Sequence, residues 1–142
     1  MITQQDIVDF SEYNQEDLTA KYQQDSPLNM VRQFAEAMDH PLDEQYGYSR
    51  KLEGFRWLLL KEEYSEVRDA DGSAEMLKEL ADLVYVTYGY AATYGWDLDE
   101  AVRRVHASNM SKLDSAGKPL KRPDGKVLKG ANYWKPDLTD LV

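Results

Sequence analysis

Five carboxylates near the middle of the chain are spaced so that they could act together. Glu62, Glu63 and Glu66 stand in KEEYSEV, directly after GFRWLLL, with no turn residue between the two stretches. Residues three and four apart on a helix share a face. Stepping in this way from Leu59 lands on Glu62 and Glu63, then on Glu66, so the acids extend an apolar stripe. Further on, Glu79 lies three after Met76 and four before Leu83, and Asp82 flanks it. Oxygen donors without cysteine suit a hard cation, Mg²⁺ first and Mn²⁺ second. His40 and His106 have no partner at ligand spacing. The competing reading is a solvated acidic face, with each acid tied to a base on its own helix. For a lone ExxE that reading wins; two such motifs on successive helices favour the cation.

The elements that must position these acids are two helices joined by DADGS. The spacing predicts a helix from about Ser49 to Ala70, with Leu52, Phe55 and Leu59 on its apolar side. Gly72 is expected to stop it and Ser73 to cap the next helix, about Ser73 to Tyr94, with Met76, Leu80, Leu83, Thr87 and Ala91 on one stripe. So short a connection makes the pair antiparallel. Counted from Asp71, Glu66, Glu63 and Glu62 lie five, eight and nine residues before, and Glu79 and Asp82 eight and eleven after. At about 1.5 Å per residue the two sets come level within a turn. Like charges gathered at such an interface must take up protons or cations. Lys61, Arg68 and Lys78 are expected to lie off that face.

Around this hairpin, Ser26 as N-cap and Pro27 at the first helical position open a helix carrying Met30, Val31, Phe34 and Met38, which His40-Pro41 ends. QEDLTAKYQQ is a candidate short helix within a polar stretch covering residues 1 to 26. Gly95 closes the long helix. Asp97 with Glu100 then starts a last helix, Leu98 to about Leu113, with Leu98, Val102, Val105 and Asn109 on one face. Beyond it the chain is rich in Gly, Pro and Lys. Pro123-Asp124-Gly125 is a turn signal, and a small hairpin between PLKR and KVLK is expected there. The fold class is all-α, four main helices with a C-terminal arm, forming one domain over 1–142 with a helical core of about 27–113 and an arm of 114–142.

The chain has 142 residues, 42% hydrophobic and 30% charged, which fits a folded domain and not a disordered one. No apolar run approaches the length of a membrane span. The start MITQQDIVDF lacks the features of a secretory leader, and there is no cysteine, so a cytoplasmic location without a membrane partner is expected. A net charge of -9 argues against nucleic acid as a partner. Between Lys112 and Lys135, however, seven bases and two acids give +5. An acidic body with one basic segment reads either as a cation site plus an anion site, or as a solvated basic tail.

The pair EEYSE (Glu62–Glu66) and ELAD (Glu79–Asp82) resembles the EExxE…ExxD signature of the all-α nucleoside triphosphate pyrophosphohydrolases. These include MazG-type enzymes, dimeric dUTPases and phosphoribosyl-ATP pyrophosphohydrolase. The likeness covers roughly Pro27 to Leu113, and NMSK (Asn109–Lys112) with DGKVLKG (Asp124–Gly130) is similar to a subset of short members. The resemblance implies Mg²⁺-dependent cleavage of a nucleoside triphosphate to monophosphate and pyrophosphate. By residue matching Glu63, Glu66, Glu79 and Asp82 would be metal ligands, with Glu62 a further ligand or the base that orients the attacking water. It also implies a homodimer or a dimer of dimers. Apolar side chains pointing in most directions on one helix (Phe55, Trp57, Leu58, Leu60) agree, and a stable monomer in light scattering would contradict it.

Independently of the resemblance, attack on a polyphosphate requires its charge to be neutralised and a proton to be accepted. Cations are also wanted beside the departing group. Asn109 and Lys112, three apart on the last helix, and Lys126 and Lys129 in the arm are candidates for contacting phosphate. Equally, Asn109 could cap its helix and Lys112 could serve the helix dipole. Tyr133 and Trp134 could stack on a base or simply pack the arm, and Tyr85 and Tyr88 read as packing residues. Two other classes of function stand beside the enzyme: a non-catalytic helical regulator or adaptor binding nucleotide or metal, and a helical interaction protein with an acidic surface. Which base and sugar are recognised, and how many ions are held, does not follow from the motifs.

Overall fold

Local signals account for where each helix begins. The computed structural model describes residues 15–142; the polar residues 1–14, including the stretch judged not to be a leader, lie outside that range. In order, the helices are α1 (Gln15–Lys21), α2 (Pro27–Ala37), α3 (Arg50–Asp69), α4 (Ser73–Thr93) and α5 (Leu98–Met110), with a 3-10 turn at Thr139–Leu141. Among the described residues the one strand-like feature is an isolated antiparallel bridge between Lys121 and Val127. It is what remains of the expected hairpin, closed by Leu128 N–H donating to the Leu120 carbonyl at 2.7 Å. The protein is therefore an all-α bundle.

Ser26 caps α2 by accepting from Asn29 N–H at 3.1 Å, with Pro27 in the first turn. Ser49 does the same for α3 toward Leu52 N–H at 3.2 Å. The α3–α4 connection departs from expectation. Gly72, at φ 91°, is the N-cap of α4 and not the stop of α3, and Ser73 is already helical. No side chain caps α4; the Glu75 carboxylate instead reaches back to accept from Asp71 N–H, ahead of the helix, at 2.9 Å. At the other end of α4, Gly95 N–H bonds the Ala92 carbonyl and Trp96 N–H the Ala91 carbonyl, with Gly95 left-handed at φ 70°. This is the Schellman arrangement that glycine makes inexpensive. A Cβ there would lie 2.8 Å from Asp43 Oδ1.

The described residues form two compact units, divided between Trp96 and Asp97. In the first, α4 packs against both α3 and α2. Its centre is small: Val31, Ala35, Tyr88, Ala91, Ala92 and Tyr94 are buried. The loop after α2 is tied down by Arg32, whose guanidinium donates two bonds to the Asp43 carboxylate at 2.9 and 2.8 Å.

On α3 the buried line differs from the expected one. Phe55 is 48% exposed, while its neighbour Arg56 is 6% exposed with a buried Nε that has no hydrogen-bond partner. Arg56 lies against α4 where that helix carries Gly89. A Cβ at Gly89 would lie 3.2 Å from Arg56 Nη1, so glycine leaves the room the guanidinium fills.

In the second unit, the segment after α5 runs back along it. Ser108 Oγ donates to the Trp134 carbonyl at 2.8 Å, and Trp134 N–H to Ser111 Oγ at 3.2 Å. Arg104 bridges to the Asp140 carboxylate. Gly130 is required at the crossing, because a Cβ there would meet the Lys112 carbonyl at 2.9 Å. Asp97 caps α5 through Glu100 N–H at 3.0 Å, but Glu100 turns to Arg103 and Arg104 and does not complete a capping box.

Candidate metal centre

Helix α3 delivers Glu63 and helix α4 delivers Glu79 and Asp82 to one place. Each offers a carboxylate oxygen, and the three oxygens lie within 4.8 Å of one another. Glu79 is 6% exposed, and Glu63 and Asp82 are half-buried. Antiparallel packing of α3 on α4 brings them level, as counting from Asp71 requires.

Two of the oxygens are bare. Glu63 Oε2 and Glu79 Oε2 are both buried and neither has a hydrogen-bond partner. A buried acceptor without a donor costs about 1–3 kcal/mol, more when charged. Buried, unpartnered oxygens on clustered carboxylates are what a bound cation would satisfy. Three oxygens within 4.8 Å of one another are near enough for their side chains to converge on a single ion. All donors are oxygen, which suits a hard divalent ion. The residues present therefore fit the group.

The electrostatics agree. Burial pushes the Glu63 carboxyl above its ordinary range, and the charges of Glu66, Asp82 and Glu79 push it further in the same direction. Glu66 lies close enough to share a hydrogen bond with Glu63 if one of the two holds a proton. The sign for stability follows from Glu63 binding its proton more tightly folded than unfolded. Below the unfolded value of about 4.3 both states are protonated and nothing is lost. As pH rises through the raised folded value, the metal-free fold loses stability. The melting temperature of metal-free Glu63→Gln, measured against the parent from pH 4 to 8, is expected to gain on it as pH rises. A constant difference across that range would show that Glu63 is not strained by its neighbours.

The remaining acids and bases are placed differently. Glu62 is exposed and outside the three-oxygen group, and Glu66 is exposed but couples to Glu63. Of the three bases expected off this face, Lys78 is not. Its ammonium lies 2.8 Å from Asp82 Oδ2 and 3.1 Å from Glu79 Oε1. The i,i+4 spacing to Asp82 is the sequence signal for this pairing; Lys78 lies off the apolar stripe, but its long side chain reaches round the helix. Beside the acid line on α3, Trp57, Leu60, Lys61 and Tyr64 follow a helical strip. With Leu83 of α4 they line an open apolar groove of about 500 Å³. Trp57 and Tyr64 are 60% and 63% exposed.

Asn109 and Lys112 belong to the second unit, at the end of α5, Asn109 exposed and Lys112 half-buried. Lys126 and Lys129 are exposed, and Lys126 N–H donates to Asp124 Oδ1 at 3.1 Å. The Lys129 ammonium sits 4.7 Å over the Tyr133 ring, so that ring already has a cation on one face. Tyr85 makes an edge contact with Phe34 and Tyr88 is buried, as packing residues should be. No helix among the described residues is long and apolar enough to cross a membrane.

A family model described as Phosphoribosyl-ATP pyrophosphohydrolase matches residues 31–109. That span begins in α2, contains both acidic motifs and ends at Asn109 in α5. No curated protein matches the chain.

Proposed function

The chain belongs to the phosphoribosyl-ATP pyrophosphohydrolase family, part of the MazG-like all-α group of hydrolases acting on phosphoric anhydride bonds, and from that premise we propose that it hydrolyses a nucleoside triphosphate or related nucleotide to the monophosphate and pyrophosphate in a Mg²⁺-dependent reaction. The observation that carries the metal dependence is the pair of buried, unpartnered oxygens on Glu63 and Glu79 within one three-carboxylate group. Glu63, Glu79 and Asp82 would hold the ion, with Mn²⁺ an acceptable substitute, and Glu66 would complete its ligands. When bound, the ion supplies charge neutralisation at the phosphates and eases loss of a proton from the attacking water.

The chain's own residues supply the rest. Glu62 is the exposed acid next to the ligand Glu63, free of ion pairs among the described residues, and would accept that proton. Water oxygen bonds to the α-phosphorus as the α–β anhydride bond breaks, and pyrophosphate leaves with the released electron pair. Asn109, Lys112, Lys126 and Lys129 would bind the phosphates and Tyr133 the base. We read 1–142 as one functional domain; the family match, which runs through the junction at Trp96–Asp97, supports this for residues 31–109. The exposed strip around Trp57 and Tyr64 supports assembly as a homodimer or homotetramer.

The test is pyrophosphate release from a panel of ribo- and deoxyribonucleoside triphosphates and phosphoribosyl-ATP, with and without Mg²⁺. At least one substrate should turn over, only with the ion. Glu62→Gln should lower kcat by about 10²–10⁴-fold while Mg²⁺ still binds. Nucleotide binding without product would favour the regulator or adaptor instead.

A further inference from the structure

Lys78 projects from α4 onto the very carboxylates assigned to the cation. Its ammonium touches Asp82 Oδ2 at 2.8 Å and Glu79 Oε1 at 3.1 Å, two of the three residues whose oxygens cluster. The lysine side chain is itself 64% exposed, whereas that of Glu79 is 8% exposed. A mobile, solvent-reaching cation is therefore paired with a nearly buried anion. The pairing is incomplete, because Glu79 Oε2 and Glu63 Oε2 stay bare behind it. Lys78 neutralises the outer side of the group and leaves the inner oxygens unserved.

We propose that Lys78 is an internal counter-cation, holding Glu79 and Asp82 while no divalent ion is present and released when one binds. The inference rests on the reading of these carboxylates as a metal centre. Its physical basis is the unequal strength of the two cations. An ammonium on a flexible, exposed stem forms pairs of the surface kind, which are weak and have water as a ready alternative. A divalent ion reaching the inner oxygens satisfies atoms that nothing else does. Once there, it repels an ammonium on the same carboxylates with twice the force of a unit charge. Lys78 thus keeps the empty acid group from repelling itself apart, and it sets the concentration of ion needed to fill the site.

Two measurements on the full chain test this. Calorimetric titration with Mg²⁺ should show Lys78→Met binding the ion roughly three- to tenfold more tightly than the parent, since two surface-strength pairs no longer have to be broken. Lys51→Met, an equal change of net charge at the start of α3, should leave the affinity within about twofold. In the parent, acylation of Lys78 by an amine-reactive ester, read by peptide mass spectrometry, should speed up when Mg²⁺ is added. Unchanged or weaker Mg²⁺ binding in Lys78→Met, or Lys78 reactivity indifferent to Mg²⁺, overturns the proposal while leaving the metal centre standing. Failure of the parent to bind Mg²⁺ at all overturns both.

Discussion

Glu79→Gln is expected to lower kcat/KM by at least ~10³-fold, about 4 kcal/mol of lost transition-state stabilisation, while the metal-free variant melts no lower than the parent. Loss of activity alone would follow from damage to any residue. The combination is specific to a buried ligand. Glu79 is the most deeply buried acid of the cluster, and one of its oxygens has no partner. In the metal-free fold its bare oxygen is a burden, since a buried acceptor without a donor costs about 1–3 kcal/mol. Glutamine keeps the shape and removes the charge. What it gives up is the pairing with an exposed Lys78, worth little. A variant that retained full activity would remove Glu79 from the metal centre. One that melted well below the parent without metal would show Glu79 to be a structural residue.

Saturating Mg²⁺ is expected to raise the melting temperature of the parent by roughly 8 °C. An ion at about 100 times its dissociation constant stabilises the fold by about 2.7 kcal/mol, and a chain of this length shifts by about 3 °C per kcal/mol. The physical source is local. A bound ion would relieve the repulsion that Glu66, Asp82 and Glu79 exert on Glu63 and would supply partners for the two bare oxygens. EDTA should reverse the shift, NaCl at equal ionic strength should not reproduce it, and Glu79→Gln should lose most of it. A parent indifferent to Mg²⁺ would favour the reading of an acidic interaction surface.

Much of this fold is legible from local chemistry. Ser26 with Pro27, Ser49, Asp97 and Gly95 each mark a helix end through a group within four residues, so the ends of α2, α3, α4 and α5 fall close to expectation. The exception is the α3–α4 turn. Gly72 was expected to stop α3 and Ser73 to cap α4, but Gly72 is the cap, Ser73 is already helical, and Glu75 accepts from Asp71 N–H. The last helix ends at Met110, short of the expected Leu113, with Ser111 as its C-cap and Ser108 and Ser111 both bonded to Trp134 of the returning segment.

By itself, the sequence determined the helices, their order, and the level at which the two acidic motifs meet, because caps and helical rise are local properties. It also carried the family, through the spacing of Glu62, Glu63, Glu66, Glu79 and Asp82. Only the tertiary structure decided which acids face one another. The rotation of α3 against α4 is settled by packing between the two helices, and Gly89 makes room there for the Arg56 guanidinium. This rotation brings Glu63 inward beside Glu79 and Asp82, leaves Glu62 and Glu66 toward water, and exposes Phe55 where an apolar stripe was expected. The reach of Lys78 round its own helix to Glu79 and Asp82 was equally beyond a reading by face, since a long side chain is not confined to the direction of its Cβ.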